Sequence, residues 1–205
     1  NETIQEEVQI LSAASCTTNA IVPVLKAIND RFQIEDGHIE TCHAYTSDQN
    51  LIDNYHKKSR RGRGAPLNMV ITETAAAAAV GKVLPELKGK LTANAIRVPT
   101  PNVSLAILNL TLDQDITVEA VNNHLRDISL DSPLQEQIDY TSSPEIVSSD
   151  LIGTLKTGIV DSLATTVQGK RCVLYVWYDN EYGYACQVIR IVQHIARIEL
   201  PAFPG

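Results

Sequence analysis

Cys16 stands in "SAASCTTNAIVP", residues 12–23, among small hydroxyl-bearing residues at the point where an apolar segment begins. If a helix begins at about Ser15, Cys16 occupies its first turn, where unpaired backbone N–H groups and the positive end of the helix dipole favour a thiolate. Such a position draws a thiol below its ordinary pKa of about 8.5 and makes it a nucleophile at neutral pH. The alternative is a small residue buried for packing. Cys42, Cys172 and Cys186 fall within strand or helix patterns and are expected in the core. The four cysteines lie far apart with no CxxC or paired-histidine spacing, so neither a metal site nor a dense disulfide framework is expected. Thiols used in this way suit a reducing cytoplasm.

The elements that would position Cys16 can be read from apolar spacing. Ile21, Val24, Leu25 and Ile28 recur at helical intervals after Ser15, a suitable N-cap, and Pro23 is expected to kink this helix without ending it. "HIETCHAY", residues 38–45, alternates as a strand, with His43 near its end. Residues 46–68 are polar, basic and too long for a turn. A helix is expected from about Thr74 to Pro85, followed by strands at "AIRVPT" and "VSLAILNLTL". Thr117 caps a further helix carrying Val118, Val121, Leu125 and Ile128. "RCVLYVWY" reads as a strand, and Val188, Ile191, Val192 and Ile195 mark a C-terminal helix. Strands gathered without regular βαβ alternation predict an α+β domain, a mixed, largely antiparallel sheet with helices packed on one face.

At 205 residues and 44% hydrophobic, the chain is long enough for one sizeable core. Its net charge of −7 argues against nucleic acid or an anionic membrane surface as a partner, and no apolar run of membrane-spanning length is present. The basic run Lys57, Lys58, Arg60, Arg61 and Arg63 is therefore read as a local feature.

Six segments in order carry a resemblance: "SAASCTTNAIVPVLKAIND", "TCHAYTSDQNLID", "RRGRGAPLNMVITETAAAAAVGKVLPELKGKL", "IRVPTPNVS", "VSSD" and "WYDNEYGY". Together they resemble the phosphorylating glyceraldehyde-3-phosphate dehydrogenase family over nearly all of residues 10–198. The likeness implies a catalytic domain at residues 15–181 and a C-terminal helix and tail at 182–205. Residues 1–14 would be the end of a preceding cofactor domain or its linker.

The resemblance implies roles residue by residue. Cys16 matches the nucleophile that attacks the aldehyde to give a hemithioacetal and then a thioester, and His43, 27 positions on, matches the base. Thr46 and Arg97 match the pocket for the substrate's own phosphate, while Ser15, Thr17 and Thr74 match the pocket for inorganic phosphate. The family carries glycine where this chain has Ala75, whose methyl group would crowd that second pocket. Asn180 and Tyr184 match residues beside the nicotinamide ring of NAD or NADP. The basic loop matches a subunit interface beside the cofactor, within a homo-oligomer expected to be a tetramer. His38, His56, His124 and His194 match nothing catalytic and are expected as surface or capping residues.

No GxGxxG between a strand and a helix occurs in these 205 residues, so the dinucleotide cradle is expected upstream and the chain alone is expected to be inactive. Three other readings stay open: an erythrose-4-phosphate dehydrogenase, a family whose members Asp48, Gln49, Ile52, Asp53, Tyr55 and His56 also resemble; a Cys/His acyl-transfer hydrolase; and a non-catalytic self-associating module.

Overall fold

A computed structural model describes residues 10–198. Most of the segment expected as the end of a cofactor domain, residues 1–9, lies outside the described residues, as does the tail 199–205.

Helix α1 (Cys16–Phe32) starts where the pattern predicts. Ser15 has an extended backbone, and its Oγ accepts from the Thr18 backbone N–H at 3.1 Å, satisfying one of the donors left free in the first turn. Pro23 is buried within an otherwise continuous helix. Strand β1 (Ile34–Ala44) follows after a single residue, then the long loop, then β2 (Val70–Thr72). Helix α2 (Ala76–Val83) begins two residues later than expected, with Ala75 rather than Thr74 at its N-cap position. Strands β3 (Leu91–Val98) and β4 (Ser104–Leu112) precede α3 (Val118–Leu130), which Thr117 caps by accepting from Ala120 N–H at 3.1 Å. Strands β5 (Ile138–Thr141), β6 (Gly158–Asp161), β7 (Thr166–Gln168) and β8 (Arg171–Tyr178) and helix α4 (Tyr182–Ile195) complete the chain.

One sheet runs β2-β3-β1-β4-β8-β6-β5, with β7 also pairing β8. Only β1 with β3 and β5 with β6 are parallel; the remaining pairings are antiparallel. Alternation along the central strands sorts their side chains by face. Ile39, Ala106, Leu108, Leu110, Leu174 and Val176 pack into one cluster with Ile21, Val24, Leu25 and Ile28 of α1, Val80 of α2, and Val121 and Leu125 of α3. The α+β expectation with helices on one face therefore holds.

Helix α1 is the central member of that layer, and it approaches the sheet closely. A Cβ built on Gly158 would lie 2.6 Å from the Ala20 carbonyl oxygen, so only glycine lets β6 pass beneath α1 at this separation. That approach fixes the start of α1, and with it Cys16, over the ends of β1, β3 and β8. Among the described residues no helix is long and apolar enough to cross a membrane, and no group of three or more potential ligand residues could hold a metal ion.

Candidate active site

Cys16 is the first residue of α1, and His43 is the penultimate residue of β1. Sγ of Cys16 and Nε2 of His43 lie 3.5 Å apart. This is hydrogen-bonding distance for sulfur. The His43 ring is buried and stands edge-on to Tyr178 at the end of β8, with ring centroids 6.0 Å apart. Tyr178 is itself held by Thr17, whose hydroxyl lies 2.9 Å from the phenol oxygen. Thus α1, β1 and β8 fix the pair from three sides.

Around the pair opens a cleft of about 490 Å³. Ser15, Thr17, Thr46, Thr74, Ala75, Arg97 and Asn180 line it together with Cys16 and His43, so the fold gathers nearly every candidate into one place. Tyr184 is the exception. It lies half-buried in the first turns of α4 and does not line this cleft. Ser15 gives its oxygen to the helix cap and also lies 2.8 Å from the Thr18 hydroxyl. Thr74 Oγ1 accepts from Ala76 N–H at 3.3 Å. Ala75 has φ −91° and ψ 11°, a backbone that an L-residue adopts without strain, so alanine costs no conformational energy there.

Arg61 belongs to the loop that the resemblance sets at a subunit interface, and the structure also brings its side chain to the cleft. Unlike the exposed Lys57, Lys58, Arg60 and Arg63, Arg61 is buried, and it lines the cleft together with Lys58. Its Nε donates to Thr72 Oγ1 at 2.9 Å, one Nη donates to the Asp48 carboxylate, and the other reaches the Glu73 carbonyl oxygen at 3.5 Å. The sequence signal that could have separated it is the acidic Asp48 at the other end of the same loop, a partner that only folding brings near. Two guanidinium groups, Arg61 and Arg97, therefore share the cleft. Exposed Leu51, Ile52, Tyr55, Leu67 and Met69 flank the same loop.

Protonation at the pair departs from the expectation based on the helix start. Burial pushes the Cys16 thiol up, outweighing the Thr17 backbone N–H, the Thr17 hydroxyl and the positive charge of Arg97, all of which pull it down. Burial likewise pushes His43 down to about 4, with Arg97 adding to the shift and the hydrogen bond to Ala44 opposing it. Burial thus disfavours the charged form of both members of the pair. Cys172 fits its assigned core role, whereas Cys42 and Cys186 are only half-buried. His124 is half-buried: its Nε2 lies 2.9 Å from the Ala27 carbonyl oxygen and its ring meets Phe32 edge-on, tying α3 to α1.

A buried neutral histidine makes stability depend on pH with a definite sign. Between pH 6.5 and about 4 the unfolded chain takes up a proton that folded His43 refuses, so stability falls on acidification through that window. The loss attributable to His43 should approach about 3 kcal/mol. Urea unfolding at stepwise pH should show this component in the wild type and lack it in His43→Gln. Parallel pH dependence of the two proteins would show that His43 is solvated.

Asn180, in the turn between β8 and α4, is buried, and its Oδ1 accepts from the Ser104 hydroxyl at 3.0 Å. Its amino group is left as the donor at the cleft. Neighbouring Asp179 accepts from the backbone N–H groups of Gly153, Glu181 and Tyr182 and from the Asn102 amide, which locks the turn. A donor held in this way suits the carboxamide oxygen of a nicotinamide.

The α+β domain sets a cysteine and a histidine within hydrogen-bonding distance, beside two arginines and the starts of two helices, in one cleft. Its family is shown by comparison: residues 15–180 match the model described as the C-terminal domain of glyceraldehyde 3-phosphate dehydrogenase, and the chain belongs to that family of oxidoreductases. It is 63% identical over 196 residues to a glyceraldehyde-3-phosphate dehydrogenase-like protein of Pseudomonas aeruginosa, covering 96% of this chain and 42% of that protein. It is 45% identical over 188 residues to a glyceraldehyde-3-phosphate dehydrogenase of Priestia megaterium, covering 91% of this chain and 56% of that one. Glyceraldehyde-3-phosphate dehydrogenase 1 of Bacillus subtilis is 44% identical over 189 residues, covering 92% of this chain and 56% of its own length. The chain thus spans about half the length of the curated relatives it matches.

Proposed function

We propose that this domain is the catalytic half of a phosphorylating aldehyde dehydrogenase that oxidises glyceraldehyde 3-phosphate with a nicotinamide cofactor and inorganic phosphate. The observation that carries the reading is the Cys16–His43 pair in a single cleft with Arg61 and Arg97, whose guanidinium groups suit phosphate oxygens.

The chemistry follows from those positions. Cys16 Sγ adds to the aldehyde carbon while His43 Nε2 takes up a proton, giving a hemithioacetal whose oxygen stays within reach of the imidazole. The nicotinamide cofactor, when bound, accepts the hydride. Cys16 then holds the acyl group as a thioester. A phosphate oxygen attacks the thioester carbon, the C–S bond breaks, and the acyl phosphate leaves with Cys16 restored. Arg97 and Thr46 hold the substrate's phosphate, and Arg61, with the helix start at Thr74 and Ala75, faces the incoming one. Asn180 orients the nicotinamide carboxamide. The dinucleotide cradle lies outside these 205 residues, so turnover requires the intact protein. The exposed apolar side chains of the loop at residues 51–69 are suited to contact with a second subunit.

Two measurements test this. Intact-protein mass spectrometry after acid quench, with aldehyde and NAD present and phosphate omitted, should find a glyceroyl thioester mapped to Cys16, and its absence would refute the assignment. Arg97→Lys should raise KM for the phosphorylated aldehyde about tenfold, because a point charge replaces a planar fork. An unchanged KM would remove Arg97 from the substrate pocket.

A further inference from the structure

The proposed function brings inorganic phosphate into the cleft beside Thr74 and Ala75, and the charges on that side come from the long loop and the end of β2. The residues lining the cleft include three cations, Lys58, Arg61 and Arg97, and a single carboxylate, Glu73. Glu73 directly follows β2 and precedes Thr74, so it stands next to the place assigned to the incoming phosphate. Its side chain is 88% exposed, and its Oε2 lies 3.5 Å from Lys58 Nζ.

The two cations that touch Glu73 differ in freedom. Arg61 is buried and committed on every side, with Nε on the Thr72 hydroxyl, one Nη on the Asp48 carboxylate and the other on the Glu73 carbonyl oxygen, so it is a fixed charge. Lys58 combines a held backbone with a loose head. Its N–H donates to His56 Nδ1 at 2.9 Å, and its carbonyl oxygen accepts from the Arg61 N–H at 2.8 Å, which fixes the root of the side chain at the cleft. The ammonium, in contrast, meets Glu73 at a distance longer than the roughly 2.7–2.9 Å of a charge-assisted hydrogen bond, with both side chains open to water. An exposed pair of this kind contributes little, and a lysine head with three rotatable donors turns easily to a better acceptor. A phosphate dianion beside Thr74 is such an acceptor, with more charge and more oxygens than one carboxylate. The Glu73 carboxylate repels the same dianion.

We propose that Lys58 and Glu73 are specificity-determining residues for inorganic phosphate: Lys58 leaves Glu73 to contact the incoming phosphate, and Glu73 opposes that anion both by its charge and by holding the ammonium. Arg97 and Thr46 hold the substrate's own phosphate, so the exchange acts on one anion and leaves the contacts of the other in place. This rests on the proposed function, in which inorganic phosphate enters beside Thr74.

The test is steady-state kinetics of the intact protein, with inorganic phosphate varied at saturating aldehyde and NAD, and aldehyde varied at saturating phosphate. Both side chains are exposed, so neither replacement should disturb folding. Lys58→Met should raise KM for inorganic phosphate about fivefold, and Glu73→Gln should lower it about threefold. KM for the aldehyde should move by less than about twofold in each. The opposite directions are the signature, because an ion pair that only braced the loop would be lost equally in both variants and would move KM the same way. Shifts in the same direction, or an unchanged phosphate KM in either variant, overturn the proposal. Equal shifts for phosphate and aldehyde also overturn it, since they would mean general attraction of anions. All of these results leave the proposed function standing. A wild-type protein whose turnover does not depend on phosphate overturns that function and this inference together.

Discussion

Replacing Cys16 with serine should lower aldehyde oxidation by the intact protein by more than about 10³-fold while leaving the fold unchanged. The two side chains are close in size, and Cys16 packs only partly against the core, so little packing is lost. What changes is nucleophilicity and the nature of the intermediate. A serine hydroxyl beside a neutral imidazole is a far weaker nucleophile than a thiol, and the ester it would form is less prone to attack by phosphate than a thioester. A single-turnover experiment following NADH formation should show no burst in Cys16→Ser. Equivalent replacements at Cys42, Cys172 and Cys186 should preserve the burst. Activity of Cys16→Ser within about tenfold of wild type would place the nucleophile elsewhere.

His43→Gln should cost about 10²–10⁴-fold in kcat/KM, the usual contribution of a positioned general base. The pH dependence sharpens this expectation. Because burial and Arg97 hold His43 at about 4, the wild-type profile should show no inflection near the ordinary imidazole value of 6.5. Because burial holds the Cys16 thiol above its ordinary value, alkylation of the free protein should keep rising through the alkaline range, with its midpoint above 9.0. Removing the imidazole should leave that alkaline midpoint in place and depress the rate at neutral pH. A wild-type inflection near 6.5 that disappears in His43→Gln would mean a solvated, ion-paired histidine. A variant within about threefold of wild type would remove His43 from the chemistry.

Both expectations turn on one point at which local sequence and whole structure pull in opposite directions. A thiol in the first turn of a helix is favoured as a thiolate, and the Thr17 backbone N–H does act in that sense. The same helix start is pressed onto the sheet by the close passage at Gly158 and shut in by Tyr178, so desolvation outweighs the helix end. In the proposed reaction Cys16 becomes nucleophilic as its proton passes to His43.

Local pattern by itself determined much of this protein. Ser15 and Thr117 mark the starts of α1 and α3 because their hydroxyls answer free N–H groups within the next three residues. The strong alternation of β1, β4 and β8 is visible because each of these long strands buries one face against the helices. Strands β5, β6 and β7 were missed, since three or four residues in a polar stretch carry too few alternations to register as a period. Only the tertiary structure decided that His43 faces Arg97, for strand register is a property of two segments and neither contains it alone. It likewise singled out Arg61 from its four basic neighbours, by burying it against Asp48 and Thr72, and it reversed the expected direction of the Cys16 shift. Caps and periods are written within a few residues of each other, whereas desolvation and ion pairing come from atoms that the chain brings together from far apart.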